Sequence, residues 1–148
     1  MKAFTVYQPY ALEIVAGLKQ YETRPHRTNI RGRVAVHAAK TDIWAEKLMT
    51  LEDAHEHSKI LSEYRCEQTN GAVRVPPRLF FGAVLGTVEI VDCVPVGTII
   101  DKLSEQERLL GDYTPGRYAW VLQNPVMFDN PIPARGFQGW WHWEGEHR

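Results

Sequence analysis

At 148 residues, 44% of them hydrophobic, the chain carries enough apolar surface for a single globular domain spanning 1–148 with one core. A formal net charge of −1 excludes a strong pull toward nucleic acid or membrane from total charge alone, and no apolar run is long enough to span a bilayer. No charged-then-apolar leader follows Met1, and Cys66 and Cys93 lie far apart, so the expectation is a cytoplasmic protein with reduced thiols.

Residues 2–7 read as a first strand with Phe4 and Val6 on one face. Pro9 suits the first turn of a helix, and Ala11, Leu12, Ile14, Val15 and Leu18 form an apolar stripe at helical spacing. Gly17 falls where that helix should stop. An extended segment follows, with Lys19, Tyr21 and Thr23 pointing one way and Glu22 and Arg24 the other, ended by Pro25. Residues 32–39 alternate as a strand, with Val34, Val36 and Ala38 against Arg33, Ala35 and His37.

The near-zero charge hides an asymmetry. Residues 19–40 hold six Lys or Arg and one acid, Glu22, whereas 42–67 hold seven acids against Lys47, Lys59 and Arg65. Residues 42–64 read as mostly helical, with Trp44, Leu48, Leu51 and His55 as a stripe and a break near Ser58. Such an acidic helix could hold a protein partner. His55, His57 and Cys66 match no zinc-ligand spacing, so neither a metal nor another cofactor is expected.

Residues 66–78, with Asn70-Gly71 and Pro76-Pro77, have the composition of an irregular loop. The longest apolar run, 79–93, reads as a central strand with Val84, Val88 and Ile90 on one face and Leu85 and Val91 on the other. Its Gly82 and Gly86 suggest a bulge or a close backbone approach. Glu89 needs a cation or a strand end, and Cys93 should pack as a small hydrophobe. Ser104 to Glu107 form a capping box for a short helix that stops at Gly111. Residues 118–122 are a strand with Tyr118, Trp120 and Leu122 on one face; Asn124-Pro125 should turn the chain, and 131–136 should be a constrained loop. Trp140, Trp141 and Trp143 are expected in the core. Short strands, curl-promoting glycines and three helix candidates point to the α+β class, a small β-barrel of five to six strands with two to three flanking helices.

Several of these stretches share one resemblance. G-L-K-Q-Y-E-T-R at 17–24 resembles the GxKxxExR signature of activating signal cointegrator homology (ASCH) domains, within the PUA-like superfamily. Gly82 to Asp92 resembles the family's central strand, Y-A-W-V-L and P-I-P-A-R-G-F-Q-G-W-W its C-terminal portion, and Tyr10 falls on its QPW position. The resemblance covers nearly the whole chain, least at 42–78. It implies a PUA-like barrel with Lys19, Glu22 and Arg24 lining a cleft.

Three functions follow. The first is binding of single-stranded RNA or a nucleotide-like ligand, with Arg24, Arg33, His37, Lys40 and Arg117 near phosphates and Tyr10, Tyr118 and Trp120 stacking on bases. The second is an enzyme, since a desolvated lysine is usable as a base or nucleophile. Some small family members are amidohydrolases that remove an acyl group from cytidine with a lysine, a threonine and a glutamate. Carried over, these imply Lys19, Glu22 where the threonine would stand, with Thr23 one residue off, and Glu105 or Glu107 as the acid. Ribonuclease activity would draw on Lys19, Arg24 and a base such as His37. The third is a protein-interaction module built on 42–64.

Overall fold

The computed structural model describes residues 1–145. In chain order the elements are strand β1 (Lys2–Val6), helix α1 (Tyr10–Val15), β2 (Tyr21–Arg24), β3 (Gly32–Ala38), α2 (Leu51–Gln68), β4 (Ala83–Pro95), α3 (Glu105–Leu110), β5 (Tyr118–Pro133) and β6 (Trp141–His142). The strands form one mixed sheet in the order β2-β5-β4-β3-β1-β6, with β1 and β3 parallel and the other pairs antiparallel.

The expected barrel does not close. Closure would need β2 to pair with the far end of that order, but β2 has four residues and runs into Pro25, which has no N–H to donate. At the other end β6 covers only Lys2 and Ala3 of β1. A side chain spans the gap instead: Arg24 donates from Nη2 to the Thr5 carbonyl at 3.0 Å, and its guanidinium lies over the Phe4 ring. The break between β1 and β2 is therefore bridged by a charge.

Helix α1 is too short to stand alone. It persists because Ala11, Leu12, Ile14 and Val15 are buried against the sheet with Phe4, Val34, Val36 and Leu85. Burying Ile14 alone is worth about 2 kcal/mol. Gly17, at φ +79, takes the left-handed turn that ends the helix, and the Leu18 and Lys19 N–H groups both return to the Glu13 carbonyl.

Helix α2 differs from the expected stripe. It starts later, at Leu51 behind the Thr50 cap, and runs without a break past Ser58 to Gln68. Residues 43–47 form turns, Leu48 is exposed, and Leu51 is 90% exposed. The buried positions are His57 and Leu61. The cause is a polar anchor: His57 Nδ1 pairs with the Glu13 carboxyl, which lies on α1 and is fully buried. Burial pushes the Glu13 carboxyl above its usual range, and His57 works against that push.

β4 also departs from simple alternation. Its register shifts near Gly86, Glu89 and Val91, so Leu85 joins Val88 and Ile90 in the main core, while Val84 turns to a second cluster with Ala3, Ala35, Phe128 and Trp143. Gly86 meets the expectation of a close approach, because a Cβ there would collide with the Val126 carbonyl. Across from it, Asn124-Pro125 is a bulge inside β5, with Asn124 at φ +52, and 131–133 continue the same strand. Glu89 has found its cation in Arg33, at 3.0 Å, and Cys93 is buried in the main core. Both cysteines are free thiols. Of the three tryptophans, Trp143 is buried and Trp140 and Trp141 are partly buried. Among the described residues no helix is long and apolar enough to cross a membrane, and no three His, Cys, Asp or Glu cluster as metal ligands would.

Candidate functional site

A cleft of about 1370 Å³ lies where the sheet fails to close, between the ends of β1 and β3, strand β2, the turn after α3, and the 133–139 segment after β5. Local chemistry places each of its charged groups. Lys19 follows the turn that ends α1, is 3% exposed, and donates from Nζ to the Tyr21 carbonyl at 2.6 Å. Its Nζ lies 6.0 Å from the centre of the Tyr10 ring. Gly111 leaves the room for this, since a Cβ there would come within 2.8 Å of the Tyr113 ring and 3.3 Å of Lys19 Nζ.

Glu107 holds that corner together. Ser104 caps α3 by accepting from the Glu107 N–H at 3.1 Å, as the capping box requires, but the carboxylate does not return to Ser104. It accepts instead from the Gln20 N–H at 2.6 Å and from the Tyr113 hydroxyl at 3.3 Å. Burial pushes this carboxyl above its usual range, while the Gln20 N–H and the Lys19 charge pull it back. The Tyr113 phenol is raised by burial and by Glu107. Tyr10, raised to about 12 by burial and then by Glu13, stays a neutral hydroxyl on the cleft wall.

Glu22 and Arg24 face the cleft from β2. Arg24 donates from Nε to Glu22 Oε2 at 2.8 Å, and its guanidinium also lies 5.3 Å from the Trp120 ring centre. Thr23 lines the cleft too, with a hydroxyl that has no hydrogen-bond partner among the described residues. Arg117 enters from the turn before β5, donating from Nη2 to the Thr23 carbonyl at 2.9 Å beside Asp112 at 3.6 Å. Lys40 lies exposed on the rim.

His37 lines the cleft, but both ring nitrogens are occupied. Nε2 donates to the Ala134 carbonyl at 2.7 Å, so Nδ1 accepts from the Thr5 hydroxyl at 3.1 Å, and Thr5 in turn accepts from Trp141 Nε1. Burial lowers the His37 pKa, which agrees with this neutral form. The histidine ties the 133–139 segment to the sheet.

Three expected contacts lie elsewhere. Arg33 is outside the cleft and is spent on Thr87, Glu89 and the Asn124 carbonyl. Tyr118 carries the Arg27 guanidinium over its ring, 5.4 Å from the centre. Trp120 is 5% exposed, stacked on Trp140 with ring centres 5.3 Å apart and covered by Arg24, which leaves no free face for a base. Besides Tyr10 and Phe81, the aromatics that line the cleft are Tyr7, just past the end of β1, and Phe137, 52% exposed between Gly136 and Gly139. Arg135 lies over the Phe137 ring at 5.5 Å. These three went unread in the sequence. An aromatic next to glycines in a loop was the signal available for Phe137.

The family model described as the ASCH domain matches residues 4–132, which include most of β1, the Lys19–Arg24 corner and most of β5. The chain belongs to the ASCH domain family. Among solved structures it is similar to ASCH from Zymomonas mobilis, at 15% identity and a TM-score of 0.49, covering 89% of this chain and 72% of that one. Two mutant forms of that protein are similar at 17% and 18% identity, with TM-scores of 0.48 and 0.47. No curated protein matches. The GxKxxExR residues of this ASCH domain thus converge on the break in its sheet: Lys19, Glu22 and Arg24 line one cleft, and Glu107 backs it from α3.

Proposed function

We propose that this ASCH domain binds single-stranded RNA, or a nucleotide-like piece of it, in the cleft between β1 and β2. The lining chemistry carries the reading: Lys19, Arg24, Lys40, Arg117 and Arg135 face Glu22 and Asp112, with Tyr7 and Phe137 exposed beside them. A volume near 1370 Å³ exceeds the roughly 300–1,000 Å³ of a pocket for one small molecule, which favours a ligand that extends beyond a single base. Cations supply the phosphate contacts and aromatic faces the stacking.

The test is fluorescence anisotropy of a short labelled oligoribonucleotide across a salt series. Affinity falls as salt rises, and Lys40→Ala and Arg135→Ala each shallow the log–log slope by about 0.7. Arg33→Ala, outside the cleft, leaves it unchanged. Binding that ignores salt, or no binding, overturns the reading.

A second reading, hydrolysis of an acylated cytidine or of RNA, is favoured by one observation: Lys19 is a buried amine side chain on the cleft wall, beside the open Thr23 hydroxyl and backed by Glu107. Its Nζ would serve as base or nucleophile. Turnover of either substrate that is lost in Lys19→Ala supports it, and turnover unaffected by that substitution sinks it.

A further inference from the structure

The Glu22 carboxylate is unevenly satisfied. Its side chain is 7% exposed, yet only Oε2 has a partner, the Arg24 Nε at 2.8 Å. Oε1 meets no donor among the described residues, although Glu22 lines the cleft. A carboxylate offers about four acceptor positions, and Oε1, which is not among the buried unpartnered atoms, keeps its acceptor positions open to the cleft. A nucleobase that completes it does so with N–H donors, the only hydrogen-bond donors a base carries.

Apart from Glu22 and Asp112, the charged groups on the lining are cations, which suits a ligand of negative charge. An anion with a donor-rich neutral edge describes a nucleotide, and the four bases differ in that edge. Guanine presents N1–H and N2–H side by side, with the O6 acceptor next to them. Adenine and cytosine place one amino group beside a ring nitrogen lone pair, which a carboxylate oxygen repels. Uracil has a single N–H between two carbonyls. Arg24 completes the match. Its Nε and Nη2 are engaged by Glu22 and the Thr5 carbonyl, while Nη1 has no partner among the described residues.

We propose that the cleft is a guanine reader. Glu22 accepts from N1–H and N2–H, Arg24 Nη1 donates to O6, and the flanking phosphates lie toward Lys40 and Arg135. This rests on the RNA-binding reading above and names the base at its centre.

The test uses a short oligouridylate and versions with one central guanine, hypoxanthine, adenine or cytosine, each titrated against the intact chain. The guanine version binds about tenfold or more tighter than the all-uridine one, as expected for one bidentate base contact. Hypoxanthine, which keeps N1–H and lacks the N2 amino group, falls between. Glu22→Gln turns one acceptor into a donor and removes the advantage of the guanine strand over the all-uridine one. The hypoxanthine comparison needs no substitution, so it decides the matter even where Glu22→Gln disturbs folding. Equal affinity for all five overturns guanine reading and leaves RNA binding standing. Failure of every oligonucleotide to bind overturns both.

Discussion

Two ion pairs on the same sheet behave differently. Arg33 and Glu89 face each other directly across β3 and β4 in the antiparallel register, and Thr87 and Asn124 add contacts. Cross-strand partners of opposite charge satisfy each other where they stand. Glu22 and Arg24 sit two apart on one short strand, opposite Trp120 and Tyr118 in the register. Neither has a charged partner across the strand, so they pair along it and reach over the gap to β1. The first pair is spent; the second keeps unused donors and acceptors beside a cleft. Identical residue types make a closed surface bridge inside a ladder and an open site where the ladder stops.

Removing the arginine of each pair is the sharpest contrast. Arg24→Ala strands a nearly buried Glu22 and frees the Thr5 carbonyl, so urea denaturation should show a loss of about 2–4 kcal/mol. Oligonucleotide binding should weaken in the same variant. A loss below that range would make the two pairs equivalent. Next comes Phe137→Ala. It should cost about 1–3 kcal/mol in RNA affinity by loss of stacking while leaving the Tm nearly unchanged, because the ring is half exposed.

Glu107 tests whether the cleft side carries a burial penalty that the surface pair lacks. Burial raises its carboxyl pKa above the ordinary 4.5, so the folded protein holds that proton more tightly than the unfolded chain. The stability contributed by this proton is complete below the unfolded value and is lost as pH rises through the raised folded one. Glu107→Gln should flatten that part of the stability–pH curve, and Glu13, raised for the same reason, should keep its own share. An unchanged curve would show that Glu107 carries none of it. The smallest effect belongs to Arg33→Ala, a part-exposed pair, with an expected loss of about 1 kcal/mol or less and no change in RNA binding.

What could be read from the sequence followed from local periodicity. The stripe of α1, its stop at Gly17, the alternation of β3 and the cap at Ser104 are each set by residues within a few positions of one another. Lys19, Glu22 and Arg24 were legible as a group because they lie within six residues of one another, in the segment that leads into β2 and along it. The register of β4 was not, because each bulge reverses which face a later residue takes, and its place depends on the partner strand. Trp120 and Phe137 show the same limit: both are aromatic, and only the path of the chain decides which one Trp140 covers.

The sequence alone therefore determined α1 and its stop, β3, the cap of α3, the family motifs and the charges at 19–24, since backbone preference and side-chain spacing are local properties. Tertiary structure decided that the sheet stays open between β1 and β2, that His57 anchors α2 through a buried glutamate, and that Glu22 keeps an unused oxygen at the cleft. Each depends on which groups, distant in the chain, arrive to satisfy a buried donor, acceptor or charge.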